Sequence, residues 1–531
     1  MNVLKKIPFL LAFFCLQSVF GQNDFLPKEF HQKKRKELRA LMPPKSVAVF
    51  FANPTRNRAN DVDYHYHQNP DFYYLTGYRE ANSVLLIFSD EQTDSEGKKY
   101  QELIFAQESD PTAEMWNGKR LGKEGVAALG FDKVLLGKDF QDFAINLEKL
   151  DKVLFFNFKN DIRNEGGTAD LYDLVESFKT KIAFSEGYNH EKTRLYELIR
   201  STDIENSANV AQYVGRVLKN RPELLTDKVL INYQNAENDE VRQKIANEIP
   251  ENKLDSYSLE GMMNQLRETK SPEELRLLKK AIQISAIGQI ETMKAMHPDM
   301  SEAEIQGIHE FVYKKYGCEY EGYPSIVGGG NNGCILHYIE NNKLKVGKDL
   351  VLMDLGAEYR GYTADVTRTI PANGKFTEEQ KAIYELVYQA QEAAIRGCQV
   401  GNNFWITNQI TKEVINRGLV KLGIIATENE THTYFPHGTS HYLGLDVHDR
   451  GTYGEFKANT VITVEPGIYI PEGSPCDKKW WGIAVRIEDD ILITEKGYEI
   501  LSEAAPRKWE EIEKLMKEKS VLDDFKLPRI D

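Results

Sequence analysis

Asp354 closes the apolar run Leu350-Val351-Leu352-Met353, and Asp365 opens the run Val366-Thr367-Arg368-Thr369-Ile370, with glycines at 356 and 361 between them. That spacing suits a hairpin, which would set the two carboxylates face to face. Close buried carboxylates repel, so such a pair requires a shared proton or a cation. The histidines favour the cation. Of eleven in the chain, four crowd into His432 to His448, including His437, His441 and His448. Gly438, Gly444 and the neighbouring β-branched residues predict loop and strand there, not helix. Two further carboxylates follow. Glu465 ends the strand-like run Val461–Val464 ahead of Pro466-Gly467, and Glu488 shares one strand face with Ala484 and Arg486 if side chains alternate. Four carboxylates with at least one imidazole suit Mn²⁺, with Co²⁺, Fe²⁺ or Zn²⁺ as alternatives. Four negative charges match two divalent ions, and a pair about 3.5–4 Å apart would make water reactive at neutral pH. The plainer reading, a metal-free acid–histidine network, would leave costly unpaired charge in the interior.

The elements that must position these groups fall between residues 265 and 510. Ser271-Pro272-Glu273-Glu274 opens a helix, with proline in the first turn and acids at its positive end. Pro298 stops it, and Ser301 to Glu304 opens a second helix. Strands follow through Asp354 and Asp365. Thr377-Glu378-Glu379 opens a third helix, Phe404 to Leu422 reads as a fourth, and strands follow again through Glu465 and Glu488. Two helices then strands, twice over, predicts a duplicated unit around an antiparallel sheet. Residues 24–189 alternate short β-branched and aromatic runs with polar helical stretches, which predicts a separate α/β domain. Residues 190–264 are charged and helix-prone and read as a helical connector; residues 511–531 read as a C-terminal tail. The overall fold class is α/β (α+β).

Residues 1–21 carry Lys5 and Lys6, a short apolar run and Val19-Phe20-Gly21, the pattern of a secretory signal peptide. The mature chain is therefore expected outside the cytoplasm, periplasmic or secreted, and no later stretch reads as a membrane span. The full chain's 67 Lys and Arg against 81 Asp and Glu give a net charge of −14, which disfavours nucleic acid as a partner. The basic run Lys33-Lys34-Arg35-Lys36 reads as a solvated helix face. Cys318, Cys334, Cys398 and Cys476 are too sparse for a disulfide scaffold and are expected as free thiols or one incidental bridge.

Taken together, Met353–Gly356, Asp365–Thr369, His437–His441, Asp446–Asp449, Val464–Tyr469 and Arg486–Asp490 resemble the Xaa-Pro aminopeptidases (aminopeptidase P), which stand with prolidase and methionine aminopeptidase among the pita-bread metallopeptidases. Tyr66–Gly77 and Asp110–Trp116 resemble that family's N-terminal domain. The resemblance implies a pita-bread catalytic domain and a two-metal site held by Asp354, Asp365, His441, Glu465 and Glu488. Asp365 and Glu488 would bridge the ions, and Glu465 would also act as general base. His448 would stabilise the scissile carbonyl, His437 and His337 would line the substrate site, and Arg486 would orient the carboxylates. Tyr469 and Trp116 are candidate substrate contacts, Trp116 by reaching a neighbouring subunit in a homo-oligomer (dimer or tetramer). The implied reaction releases the first residue of peptides with proline second. A prolidase confined to Xaa-Pro dipeptides is the alternative, and a metal-free binding module on the same fold is the third reading. Tyr323, Tyr338 and Tyr442 are candidates for an apolar wall against the proline ring.

Overall fold

The structure, a computed structural model, describes residues 24–164, 166–167 and 169–524. The expected signal peptide and the last seven residues of the expected tail lie outside the described residues. The chain forms two compact units, one spanning Pro27–Leu266 and the other comprising, among the described residues, 24–26 and 267–524.

The first unit is built on a six-stranded mixed sheet in the order Lys133–Leu136, Lys99–Ala106, Val84–Thr93, Ser46–Phe51, Lys152–Phe155 and Leu254–Asp255. Alternation places Val47, Val49, Val84, Leu86 and Phe88 in one core. The segment expected as a connector belongs to this unit. Its helices His190–Arg200, Ser207–Asn220, Lys228–Gln234 and Asp239–Glu248 pack on one another through Leu195, Ile199, Val214, Leu218, Leu230 and Tyr233. The chain then returns to the sheet as its edge strand, Leu254–Asp255, parallel to Lys152–Phe155.

The basic run is not wholly solvated. Helix Lys28–Leu41 turns Lys34 and Arg35 inward beside Phe30 and Leu38. The Arg35 guanidinium donates to the carbonyls of Leu75 (2.7 Å) and Gly130 (2.8 Å) and pairs with Glu102 at 2.8 Å. Charge composition could not show this, because the helical period decides which side chain faces inward.

In the second unit, helices Pro272–Ala295 and Glu302–Lys315 precede one set of strands, and Glu378–Arg396 and Ile406–Lys421 precede another. Reciprocal capping boxes, Ser271 with Glu274 and Thr377 with Gln380, start the first helix of each half. The strands form curved antiparallel sheets. One joins Ile326–Gly329, Leu350–Leu355 and Val366–Pro371; a second joins Val461–Val464, Asp489–Thr494 and Gly497–Ile500; Gly467–Ile470 pairs with Ile483–Arg486. The halves are stitched by the Glu488 N–H donating to the Thr367 carbonyl (3.1 Å) and by Thr369 exchanging hydrogen bonds with the Arg486 backbone. The core between helices and sheets is aliphatic, with Met353, Leu355, Ile370, Val387, Val485 and Ile487 fully buried.

Helix Trp509–Leu515 crosses the expected domain end at 510, and Ile512 is buried in that core, so packing continues past the expected start of the tail. Cys318, Cys334, Cys398 and Cys476 are all free thiols. Among the described residues no helix is long and apolar enough to cross a membrane.

Candidate metal centre and active site

The hairpin expected between Asp354 and Asp365 forms, with more structure than a single turn. Leu350–Leu355 pairs with Val366–Pro371 in a register that puts Asp354 opposite Thr367 and Leu355 opposite Val366. The tip lies at Arg360 and Gly361, both at positive φ. Gly356 has a different reason to be glycine: a Cβ there would lie 1.9 Å from the Ala364 carbonyl oxygen. This close approach brings Asp365 back beside Asp354.

Alternation along Ile483–Glu488 sorts the second half of the site. Ile483, Val485 and Ile487 enter the aliphatic core. Arg486 and Glu488 take the opposite side and line a cavity of 520 Å³. Asp354, Asp365, His441 and Glu465 line the same cavity, as do His337, His437 and His448. The histidine segment is a loop laid along the strand Val461–Val464, with an isolated bridge between Tyr442 and Ile462 and the Glu465 N–H donating to the Thr439 carbonyl (2.8 Å). Nine of the eleven candidate residues therefore line one cavity.

Two candidates do not. Tyr469 lies behind the cavity, where its hydroxyl is 2.8 Å from both His437 Nε2 and Arg486 Nη1. It positions those groups. Trp116 belongs to the first unit, where it stands 79% exposed on the short helix Pro111–Asn117. Of the three tyrosines expected to form an apolar wall, only Tyr323 lines the cavity. Tyr338 and Tyr442 are buried and turn their hydroxyls to Glu302 and Glu268. The apolar wall consists instead of Pro324, Ile326, Leu336, Ile339 and Val447.

Three hydroxyl contacts central to the site escape a reading by sequence, among them that of Tyr323, which is expected only as part of an apolar wall. Tyr323 Oη stands 2.6 Å from Asp354 Oδ1 and 2.5 Å from Asp365 Oδ1. Thr367 Oγ1 donates to Glu488 Oε2 at 2.6 Å. The Thr463 hydroxyl accepts the His441 N–H (3.1 Å) and lies 3.4 Å from Glu465 Oε1. Threonines on a strand carry no distinguishing signal, and Tyr323 reaches Asp365 across 42 residues of sequence.

The electrostatics describe a cage of excess negative charge. Burial alone would raise Asp354, but Arg486, with Tyr323, holds its carboxyl below the usual range. Burial and the Asp354 charge raise Asp365. Burial pushes Glu465 up to about 7, aided by the Asp365 charge despite the opposing pull of His441. Glu488 is raised well above a normal carboxyl by burial and by Asp365 and Glu465. Burial would lower His441, yet its hydrogen bond to Asp365 and the Glu465 charge lift it to about 9. Burial holds His437 and His448 neutral, each at about 4, helped by the nearby positive charge of Arg486 and His441 respectively.

A cation relieves this imbalance, and the donors fit one. One ligand atom each from Asp365, His441 and Glu488 lie within 4.8 Å of one another. His441 Nδ1 is 3.0 Å from the Tyr442 carbonyl, which leaves Nε2 directed at Asp365 and Glu465, 3.4 Å from each. Fixing one ring nitrogen on a carbonyl while the other faces carboxylates is how ligating imidazoles are held. Oxygen donors with a single nitrogen suit divalent transition ions.

Residues 276–495 match metallopeptidase family M24, and residues 31–155 match the N-terminal domain of aminopeptidase P. The chain is 33% identical over 507 residues to the Xaa-Pro aminopeptidase of Escherichia coli strain K12, covering 93% of this chain and 98% of the relative. It is 34% identical over 505 residues to the Xaa-Pro aminopeptidase of Haemophilus influenzae, covering 92% and 98%. Among solved structures it superposes on an aminopeptidase of Pseudomonas aeruginosa with a TM-score of 0.72 at 31% identity, covering 93% and 98%. Aminopeptidase P of Escherichia coli with the inhibitor Pro-Leu gives 0.71 at 31% identity and the same coverage.

Proposed function

The chain belongs to metallopeptidase family M24, among the Xaa-Pro aminopeptidases, and on that footing we propose that it hydrolyses the bond between the first residue of a peptide and a following proline. The observation that carries this reading is the convergence of four carboxylates, His441 and three further histidines on one cavity with an apolar wall. Asp354, Asp365, His441, Glu465 and Glu488 would hold two divalent ions, Mn²⁺ by the donor chemistry. When bound, the ions supply electrophilic activation of water and of the peptide carbonyl.

The chain's own groups do the rest. Glu465, on the cavity wall beside His441, takes a proton from the attacking water and delivers it to the departing proline nitrogen. His448, held neutral by burial, donates an N–H to the scissile carbonyl as its charge develops. His437 and His337 hold the substrate, His437 oriented by Tyr469. Arg486 fixes Asp354 from behind. Proline in second position makes the scissile bond a tertiary amide with no N–H. The wall of Pro324, Ile326, Leu336, Ile339 and Val447 offers the pyrrolidine ring an apolar surface in place of that lost contact.

The aminopeptidase reading is preferred over a prolidase because the relatives in Escherichia coli and Haemophilus influenzae are Xaa-Pro aminopeptidases. The pattern of residues 1–21 supports an extracytoplasmic location, and the exposed Met115 and Trp116 support a homo-oligomer. The deciding assay compares an Xaa-Pro-Xaa tripeptide with an Xaa-Pro dipeptide, using protein loaded with Mn²⁺. Turnover of the tripeptide is expected, and turnover of the dipeptide alone would overturn the choice.

A further inference from the structure

Glu302 has no exposed surface and sits at the first turn of helix Glu302–Lys315, outside the cavity lining. Its carboxylate accepts four hydrogen bonds. Oε1 takes the Gly329 N–H (2.7 Å) and the Asn332 amide (3.0 Å), and Oε2 takes the Tyr338 hydroxyl (2.9 Å) and the Lys343 N–H (2.9 Å). All four partners are neutral donors, since the Lys343 ammonium is turned to Asp349 at 2.5 Å. The Glu302 N–H in turn donates to the Lys343 carbonyl (3.0 Å), so helix start and loop are tied in both directions.

Every one of these donors lies in the segment 329–343, and that segment carries Leu336, His337 and Ile339 into the cavity. Through these bonds the start of the helix holds the loop that lines the site. Four converging donors need a group that only accepts, which is a carboxylate. An amide in its place would turn its NH₂ toward either the Gly329 N–H or the Lys343 N–H. Asn332 and Tyr338 can reorient, but a backbone N–H cannot, so one buried donor would lose its partner.

We propose that Glu302 is a positioning residue for substrate engagement: it clamps the 329–343 loop so that His337 faces the cavity, and it acts through His337. This rests on the aminopeptidase reading for its kinetic consequence and on the hydrogen-bond geometry for the clamp. Displacing a substrate-positioning group by about 1 Å can cost on the order of 10²-fold in rate.

The test uses the full chain loaded with Mn²⁺, as the parent, Glu302→Gln, His337→Ala and the double variant. Bound metal, kcat and KM on an Xaa-Pro tripeptide, and amide hydrogen exchange are measured on each. Glu302→Gln is expected to keep the parent's metal stoichiometry. It should lower kcat/KM about tenfold, chiefly through KM, and speed exchange within 329–343. In the His337→Ala background its further effect should fall to about twofold or less, because both act on one group. A kcat/KM like the parent's, full additivity with His337→Ala, or unchanged exchange overturns the proposal. If Glu302→Gln does not fold, Tyr338→Phe removes one donor at similar volume. It should move KM and exchange in the same direction, and no movement in either overturns the clamp. If the parent cleaves no Xaa-Pro peptide, the functional reading falls and exchange alone decides. Loss of protection confined to 329–343 then supports the clamp, and unchanged protection overturns it.

Discussion

Arg486 Nη2 lies 2.5 Å from Asp354 Oδ2, with both side chains buried. The same guanidinium donates to the Tyr469 hydroxyl at 2.8 Å. One planar cation thus orients a candidate metal ligand and, through Tyr469, the ring of His437. Lysine offers a point charge and cannot span both partners. Arg486→Lys is expected to lower kcat/KM by about 10–100-fold, the range for groups that orient ligands, while the protein still folds. Steady-state kinetics beside a circular-dichroism melt check this, and parent-like kinetics would remove the orienting role.

Glu465 is the proposed proton carrier, and glutamine preserves its shape without its basicity. Glu465→Gln should cost about 10²–10⁴-fold in kcat on an Xaa-Pro tripeptide. His441→Ala should lose hydrolysis by weakening metal binding alone. Both residues are proposed ligands, so metal analysis after dialysis is expected to show less metal in each; excess Mn²⁺ should restore His441→Ala in part, while Glu465→Gln, lacking the base, should stay impaired. A rate like the parent's in either variant would sink the site assignment.

Removing the metal should weaken the fold as well as the activity. Asp365, Glu465 and Glu488 are all pushed up by burial and by the charge of neighbouring carboxylates. Ligand that binds only the folded state stabilises it by about 2.7 kcal/mol at a hundredfold excess over Kd. Chelation is expected to lower Tm and abolish turnover, and Mn²⁺ add-back to restore both. A Tm indifferent to chelation and add-back would contradict a resident metal pair.

His309 makes an acid-sensitive contribution away from this site. It is fully buried on helix Glu302–Lys315, and neither ring nitrogen has a hydrogen-bond partner. Burial lowers it from 6.5 to about 3. Between those values the unfolded chain takes up a proton that the folded chain refuses, so stability falls as pH drops below 6.5. From pH 7.5 to 5.5 the contribution is about 1.4 kcal/mol. Urea unfolding of the parent and His309→Leu at both pH values should show the parent losing about that much more. The carboxylate cluster titrates in both proteins and cancels in the difference. Equal losses would show that His309 is not held neutral.

Strand periodicity carried much of the fold and site. Apolar runs ending in Asp354 and Glu465, and the alternation of Ala484, Arg486 and Glu488, are local patterns that a strand converts directly into faces. Helix starts at Ser271 and Thr377 were equally legible, because capping involves residues three apart. The chain's own residues thus determined the candidate ligand types, their order and the duplicated arrangement of helices and strands.

Tertiary structure decided what depends on register between distant segments. Thr367 meets Glu488 across 121 residues, and Tyr338 meets Glu302 across 36. Neither pairing has a periodic signature, because a hydroxyl on a strand or loop finds its acceptor only after the sheets have aligned. The same reason made Arg35 a buried anchor instead of a solvated charge, and joined residues 190–264 to the first unit through one edge strand. Sequence determined which groups could do the chemistry; three-dimensional packing decided which of them face one another, because a carboxylate's function depends on neighbours that the chain brings to it from far away.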